Sequence, residues 1–186
     1  HISTSPSPMT VISKVIKDRH PEAKVIFIGP CTAKKRAAQT AAVKPYVDCV
    51  LTFEELQALF DAKDIDITFL GETDLDHASL FGRIFARCGG LAEAVAEGLK
   101  EHGELDFEYK PIACNGIEEC LATMKKARKL PIGNFIEGMA CVGGCVGGAG
   151  CLTHADRHRV AIDKFGKMAT NKTISEAVEA AERGAI

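Results

Sequence analysis

Apolar positions along the 186-residue chain switch repeatedly between helical and strand spacing. In "SPSPMTVISKVIKDRH", Ile12, Val15 and Ile16 recur at helical intervals behind Ser7 as N-cap and Pro8 at the first helical position, which predicts a helix from Met9 to His20. "AKVIFIGP" is a short continuous apolar run stopped by Gly29 and Pro30, the pattern of a strand buried on both faces. Cys31 lies just past its end. "VDCVL" repeats that pattern, and Thr52 with Glu55 forms a capping box for the helix "FEELQALFDA". Further on, "GGLAEAVAEGLKEHG" carries Leu91, Val95 and Leu99 at helical spacing and stops at Gly103. "FEYKPIAC" reads as a strand that Pro111 weakens or places at an edge. "NGIEECLATMKKARKL" is helical from Ile117, with Ile117, Leu121 and Met124 on one face, and "IGNFIEGMAC" is the next strand. Thr173 and Glu176 form a second capping box and open the last helix. This alternation predicts an α/β fold, a predominantly parallel or mixed sheet with flanking helices, over residues 1–186 as one domain or two small lobes.

Composition narrows the partners. Hydrophobic residues make up 46% of the chain, enough for a real core, and the net charge of −2 comes from interspersed acids and bases. That balance gives no broad positive field and argues against nucleic acid or an anionic membrane surface as the main partner. No apolar run approaches the roughly 18–20 residues of a membrane span, and "HISTSPSPMT" lacks the basic-then-apolar order of a secretory signal. A soluble, cytoplasmic protein is therefore expected. Eight cysteines in a chain of this size without an export signal point to metal or redox chemistry rather than a disulfide framework.

The cysteines are unevenly placed. "IEGMACVGGCVGGAGCLTH", residues 136–154, sets Cys141, Cys145 and Cys151 among six glycines directly after a strand pattern. Cys31, Cys141 and Cys145 each follow an apolar run, and ligands collect at strand ends of α/β sheets. Thiolate is a soft donor suited to iron–sulfur clusters and zinc, and glycine lets the backbone approach a bulky inorganic object. The same residues also suit tight turns with small buried thiols, and on spacing alone the two readings stand level. Cys141, Cys145, Cys151 and His154 have a spacing that permits zinc without demanding it. Cys49, Cys114 and Cys120 sit in apolar patterns and are assigned to the core. Cys88 stands beside Gly89 and Gly90 at a helix start, where a thiol's pKa can fall.

Two longer stretches, "GPCTAKKRA" at 29–37 and "EGMACVGGCVGG" at 137–148, resemble in order and separation the second and third cluster-binding signatures of the iron-iron (Fe-only) hydrogenase large subunit, C-terminal region. "ISTSPSPM", "VDCVLTFEELQALF" and "ARCGGLAEAV" extend the resemblance over most of the chain. It implies an H-cluster: a 4Fe-4S cubane joined through one cysteine sulfur to a diiron centre that reduces protons or oxidises hydrogen. On that resemblance Cys31 and Cys141 match cubane ligands and Cys145 the bridging ligand. Lys34 matches a lysine that hydrogen-bonds a diiron cyanide, and Met139 a methionine packed near the diiron carbonyls. The departures are equally specific. The family's first signature, a Thr-Ser-Cys-Cys-Pro run, is absent. Gly29 replaces a methionine, Ala37 a glutamate of the proton path, and Cys151 a glutamine. Cys151 follows Cys145 by six residues in a glycine-rich loop that can fold back to the cofactor or its surroundings; the same position also suits a small residue tolerated beside Gly150. These changes resemble sensory-type members, and the chain is expected to be a piece beginning after the first signature, inactive by itself. The expected function is the H-cluster-binding part of a hydrogenase-like protein; the alternative is a non-catalytic 4Fe-4S binding or interaction module without the diiron centre. Implied partners are an electron-transfer protein or upstream iron–sulfur modules, and maturation proteins.

Overall fold

The computed structural model describes residues 2–73, 78–103, 106–155 and 157–185. The chain divides into two units, His1–Leu70 with Ala149–Leu152, and Gly71–Gly148 with Thr153–Ile186.

In the first unit α1 (Pro8–Arg19) begins where its cap dictates, with the Ser7 hydroxyl accepting the Thr10 N–H. It buries Met9 against Ala38, Val43, Val47 and Val50. Burying one such side chain is worth about 1.5–3 kcal/mol. β1 (Ile26–Ile28) is followed by α2 (Thr32–Ala38), and β2 (Cys49–Leu51) by α3 (Phe53–Asp61). The strands pair in parallel, Ile26 opposite Cys49. The Thr52–Glu55 capping box is present in both directions, at 3.2 and 2.8 Å. β1 departs from the expected double burial: Phe27 packs on the core, while Ile26 and Ile28 are 53% and 44% exposed. Alternation in a three-residue strand puts these two on the opposite face from Phe27. Cys49 is likewise exposed rather than in the core. α2 had no apolar stripe to announce it.

Asp48, immediately before β2, closes this unit's polar edge. Its carboxylate accepts the Val25 N–H at 2.8 Å and pairs with Lys17 at 3.0 Å and Lys24 at 3.5 Å. The backbone hydrogen bond first, then the two ammonium groups, hold its carboxyl down to about 2. A depressed folded-state pKa gives stability that is present above the ordinary aspartate range and lost as pH falls through the folded value. Asp48→Asn should therefore flatten the acid limb of the stability curve between about pH 4 and 2; parallel acid titrations followed by circular dichroism check it.

The second unit contains α4 (Leu80–Ile84), α5 (Gly90–Glu101), β3 (Pro111–Asn115), α6 (Ile117–Ala127), β4 (Phe135–Met139), α7 (Arg157–Lys167) and α8 (Ile174–Ala180). β3 and β4 pair in parallel, Pro111 opposite Phe135 and Asn115 opposite Met139. Pro111 opens its strand instead of interrupting it. α4 lies on α7, where the Arg83 guanidinium stacks 4.3 Å from the Phe165 ring centroid and donates to the Phe165 carbonyl. The Thr173–Glu176 capping box starts α8, and the Glu101 carboxylate from α5 also accepts the Ile174 and Ser175 N–H groups at 2.8 Å. α6 forms as expected, but it turns Cys120 to the sheet, with the sulfur 3.7 Å from the Met139 carbonyl, and leaves Ile117, Leu121 and Met124 exposed. No helix among the described residues is long and apolar enough to cross a membrane.

Candidate functional site

The first unit carries Cys31, Lys34 and Cys151. β1 is followed by Gly29, whose N–H donates to the Leu51 carbonyl at 3.0 Å, and Pro30 forbids a continued ladder. Cys31 then occupies the N-cap position of α2 in extended conformation and does not use its thiol to cap the helix. The sulfur is left half-buried at a strand end. One turn on, Lys34 is half-buried, and among the described residues its ammonium has no ion pair. Its neighbour Lys35 differs: it bonds both Glu55 carboxylate oxygens, at 2.8 and 2.7 Å, and the Val50 carbonyl. That contact, together with the Thr52 N–H, holds the Glu55 carboxyl below its usual range. Lys35 is thus a fold residue, and Lys34 has no such contact among the described residues.

Gly150 brings the late segment to this strand end. Its N–H donates to the Pro30 carbonyl and its carbonyl accepts the Phe53 N–H, both at 3.1 Å. A Cβ here would stand 2.6 Å from that of Thr52, so only glycine fits. The next residue, Cys151, is buried. It belongs with Cys31 in this unit, whereas the sequence grouped it with Cys145. At the two departures near the site, a side chain on Gly29 would meet the Phe27 ring at 3.0 Å, and Ala37 packs as a methyl against the core.

The second unit carries Met139, Cys141 and Cys145. Met139, half-buried, ends β4. The chain then makes two successive turns: the Gly144 N–H donates to the Cys141 carbonyl at 3.0 Å, and the Gly148 N–H to the Cys145 carbonyl at 2.9 Å. Gly143 and Gly144 adopt φ of 88° and 95°, a region that side chains avoid. The loop is strapped on two sides. On one, the Cys88 N–H donates to the Gly143 carbonyl and the Val146 N–H to the Ala86 carbonyl, each at 3.0 Å. On the other, the Gly143 N–H donates to the Asn115 side chain at 2.6 Å. A Cβ on Gly144 would lie 2.4 Å from the Cys88 nitrogen. The glycines therefore serve close backbone approach, with both cysteines half-buried. Beside the loop is a cavity of about 470 Å³ lined by Asn115, Val142, Gly143, Val146, His154 and Arg159.

The other thiols are settled by their surroundings. Cys114 is fully buried, as expected. Burial, then the nearby Glu137 carboxylate, pushes the Cys88 thiol up rather than down. Cys120 is only half-buried, and its thiol is raised by desolvation first. Of the zinc set, Cys151 and His154 fall in different units. Among the described residues, neither unit gathers three His, Cys, Asp or Glu side chains around a point.

Sequence reasoning overlooked three residues that shape the loop. Asn115 anchors Gly143, Arg87 is a buried guanidinium beneath the strap, and Glu137 is a carboxylate 1% exposed. The legible sign of Glu137 was an acid on the inward face of a strand, which needs partners to be tolerated.

Residues 1–149 match the family model for the iron only hydrogenase large subunit, C-terminal domain, and the chain belongs to that family. It is 30% identical over 192 residues to Iron hydrogenase 1 of Clostridium pasteurianum, covering 81% of this chain and 33% of that protein. It is 26% identical over 208 residues to the human nuclear prelamin A recognition factor, covering 85% of this chain and 44% of that protein. The chain thus spans a third to under half of these curated relatives. Among solved structures, an FeFe-hydrogenase variant from Chlamydomonas reinhardtii superposes with a TM-score of 0.67 at 16% identity, over 98% of this chain and 66% of that one. A structure describing stepwise H-cluster assembly in an FeFe-hydrogenase gives 0.67 at 17% identity, over 98% and 65%. The fold is that of these proteins.

Proposed function

We propose that the chain is the cofactor-binding part of an iron-iron hydrogenase or a hydrogen-sensing relative, with Cys31, Cys141 and Cys145 as thiolate ligands. The observation that carries this is the glycine loop 141–148, which places two half-buried thiols on consecutive backbone turns at the end of β4. Three thiols of this kind match the chemistry of an iron–sulfur donor set. A 4Fe-4S cubane with a diiron centre, held by Cys31, Cys141 and Cys145, would supply the redox chemistry of reversible proton reduction. The chain's own residues hold and surround it. Lys34 offers a cation to an anionic ligand, Met139 an apolar flank, and Cys151 a buried thiol in the unit of Cys31. The loop's dense backbone bonding keeps its thiols in a fixed spacing. Electrons would come from an electron-transfer protein or upstream iron–sulfur modules, and the diiron centre from maturation proteins, in a cytoplasmic setting.

A second reading rests on Ala37, whose methyl sits on the first unit's core where the family pattern has a titratable relay residue. Without a group in reach of the transferred proton, turnover typically drops a hundredfold or more. This favours a non-catalytic 4Fe-4S module. Iron and sulfide analysis of the anaerobically prepared full-length protein, combined with infrared spectroscopy, separates the two. Carbonyl and cyanide bands together with about six irons are expected; a cubane without those bands selects the second reading. Cys141→Ser and Cys145→Ser should each cut iron uptake at least several-fold, and unchanged iron in both would remove these residues as ligands.

A further inference from the structure

Glu137 is the third residue of β4 and sits four positions before Cys141. Its side chain points inward opposite Ala113 on β3, a small residue that leaves room for a carboxylate. One oxygen accepts the Gly89 N–H at 2.8 Å and the other the Ala92 N–H at 2.7 Å. These amides lie at the start of α5, whose N-cap is Gly89, in left-handed conformation and without a side chain to cap the helix. A buried anion is costly unless both oxygens are bonded, and the positive end of a helix is where it is best tolerated. Strand β4 thus supplies from 45 and 48 residues away the cap that α5 lacks.

The segment so fixed is the strap of the cysteine loop. Gly89 follows Cys88, whose N–H holds the Gly143 carbonyl, and Ala86 holds the Val146 N–H. A Cβ on Gly144 would meet the Cys88 nitrogen at 2.4 Å and the Arg87 carbonyl carbon at 2.6 Å, so the two backbones lie in close approach. We infer that Glu137 is a positioning residue for the cluster loop: by pinning Gly89 and Ala92 it locks Ala86–Cys88, which in turn sets where Cys141 and Cys145 hold their sulfurs. This rests on the proposed ligand role of those two cysteines. Glu137 touches neither thiol in the interactions described. Its charge also acts through space, since a buried carboxylate disfavours an added electron nearby.

The test uses Glu137→Gln, which keeps volume and one acceptor, and Glu137→Ala, with Glu118→Gln on the exposed surface of α6 as control. In the metal-free chain, amide exchange at Gly89 and Ala92 reports the direct bonds, and exchange at Cys88 and Val146 together with alkylation of Cys141 and Cys145 reports the strap. Both variants are expected to speed exchange at all four amides and thiol alkylation at least tenfold. Faster exchange confined to Gly89 and Ala92 would reduce Glu137 to a helix cap and overturn the inference. If Glu137→Ala does not fold by circular dichroism, the Gln variant alone decides. In the full-length protein loaded with cluster, Glu137→Gln should move the cluster's midpoint potential positive, a shift that a purely structural role does not give; an unchanged potential also overturns the inference. A wild-type protein that takes up no iron and sulfide would sink the ligand reading, while the exchange and alkylation arms would still judge the positioning role.

Discussion

Gly144→Ala is expected to destabilise the second unit by about 3–5 kcal/mol and to abolish ordered cluster uptake. Two costs combine. The position adopts φ 95° and ψ −157°, open in practice to glycine alone, which strains any other residue by about 1–3 kcal/mol. The added methyl also lands 2.4 Å from the Cys88 nitrogen and 2.6 Å from the Arg87 carbonyl carbon. These are backbone atoms, so no rotamer change relieves the contact, and overpacking of this kind costs a further 1–3 kcal/mol or so. Gly71→Ala is the matched control: no neighbour lies within 4 Å of its added methyl and φ is unremarkable. Urea unfolding of both variants measures the difference, and a Gly144→Ala midpoint equal to that of Gly71→Ala would show that the strap yields easily.

Arg87→Ala should be the second most damaging change, at about 2–4 kcal/mol. Only 6% of Arg87 is exposed, and its guanidinium bonds Asp163 on α7 at 2.5 Å, Glu93 on α5 at 2.9 Å and the Cys88 carbonyl at 3.3 Å. Removing one member of a buried ion pair costs roughly 3–5 kcal/mol, reduced here because Asp163 and Glu93 are partly exposed and regain solvent. Arg87→Lys should recover less than half of the loss, since a single ammonium cannot span two carboxylates and a carbonyl as the planar fork does. Calorimetric unfolding of the three proteins checks the order; full recovery by lysine would mean that charge alone matters.

What was legible in the sequence was local. Ser7–Pro8, Thr52–Glu55 and Thr173–Glu176 act over three or four residues, and each helix start they predicted is present. The parallel pairing followed from strands separated by helices. The long-range contacts were not legible. Glu137 caps a helix 45 residues earlier, and Gly150 completes a strand end formed by Pro30, and neither partner leaves a local spacing to read. α2 escaped because "TAKKRAA" has no apolar stripe and is held instead by Lys35 reaching Val50 and Glu55. α6 was placed correctly but its inward face was misjudged: three large apolar residues at helical spacing outweighed one cysteine in the pattern, yet Gly138 lets the Cys120 sulfur approach the sheet closely. The motif cysteines stood out because glycine density is itself visible, while their supports, Asn115, Arg87 and Glu137, are ordinary residue types in ordinary positions.

The membership of Ala149–Leu152 in the first unit has a consequence for biosynthesis. The N-terminal residues up to Leu70 leave the ribosome long before the four residues that cover Pro30 and Phe53. At roughly 5–20 residues per second, the intervening stretch imposes a delay on the order of ten seconds. During that interval the nascent Pro30 carbonyl and Phe53 amide have only water for partners, and Cys31 has no Cys151 segment beside it. This strand end is thus completed only once the glycine loop of the other unit has already been made.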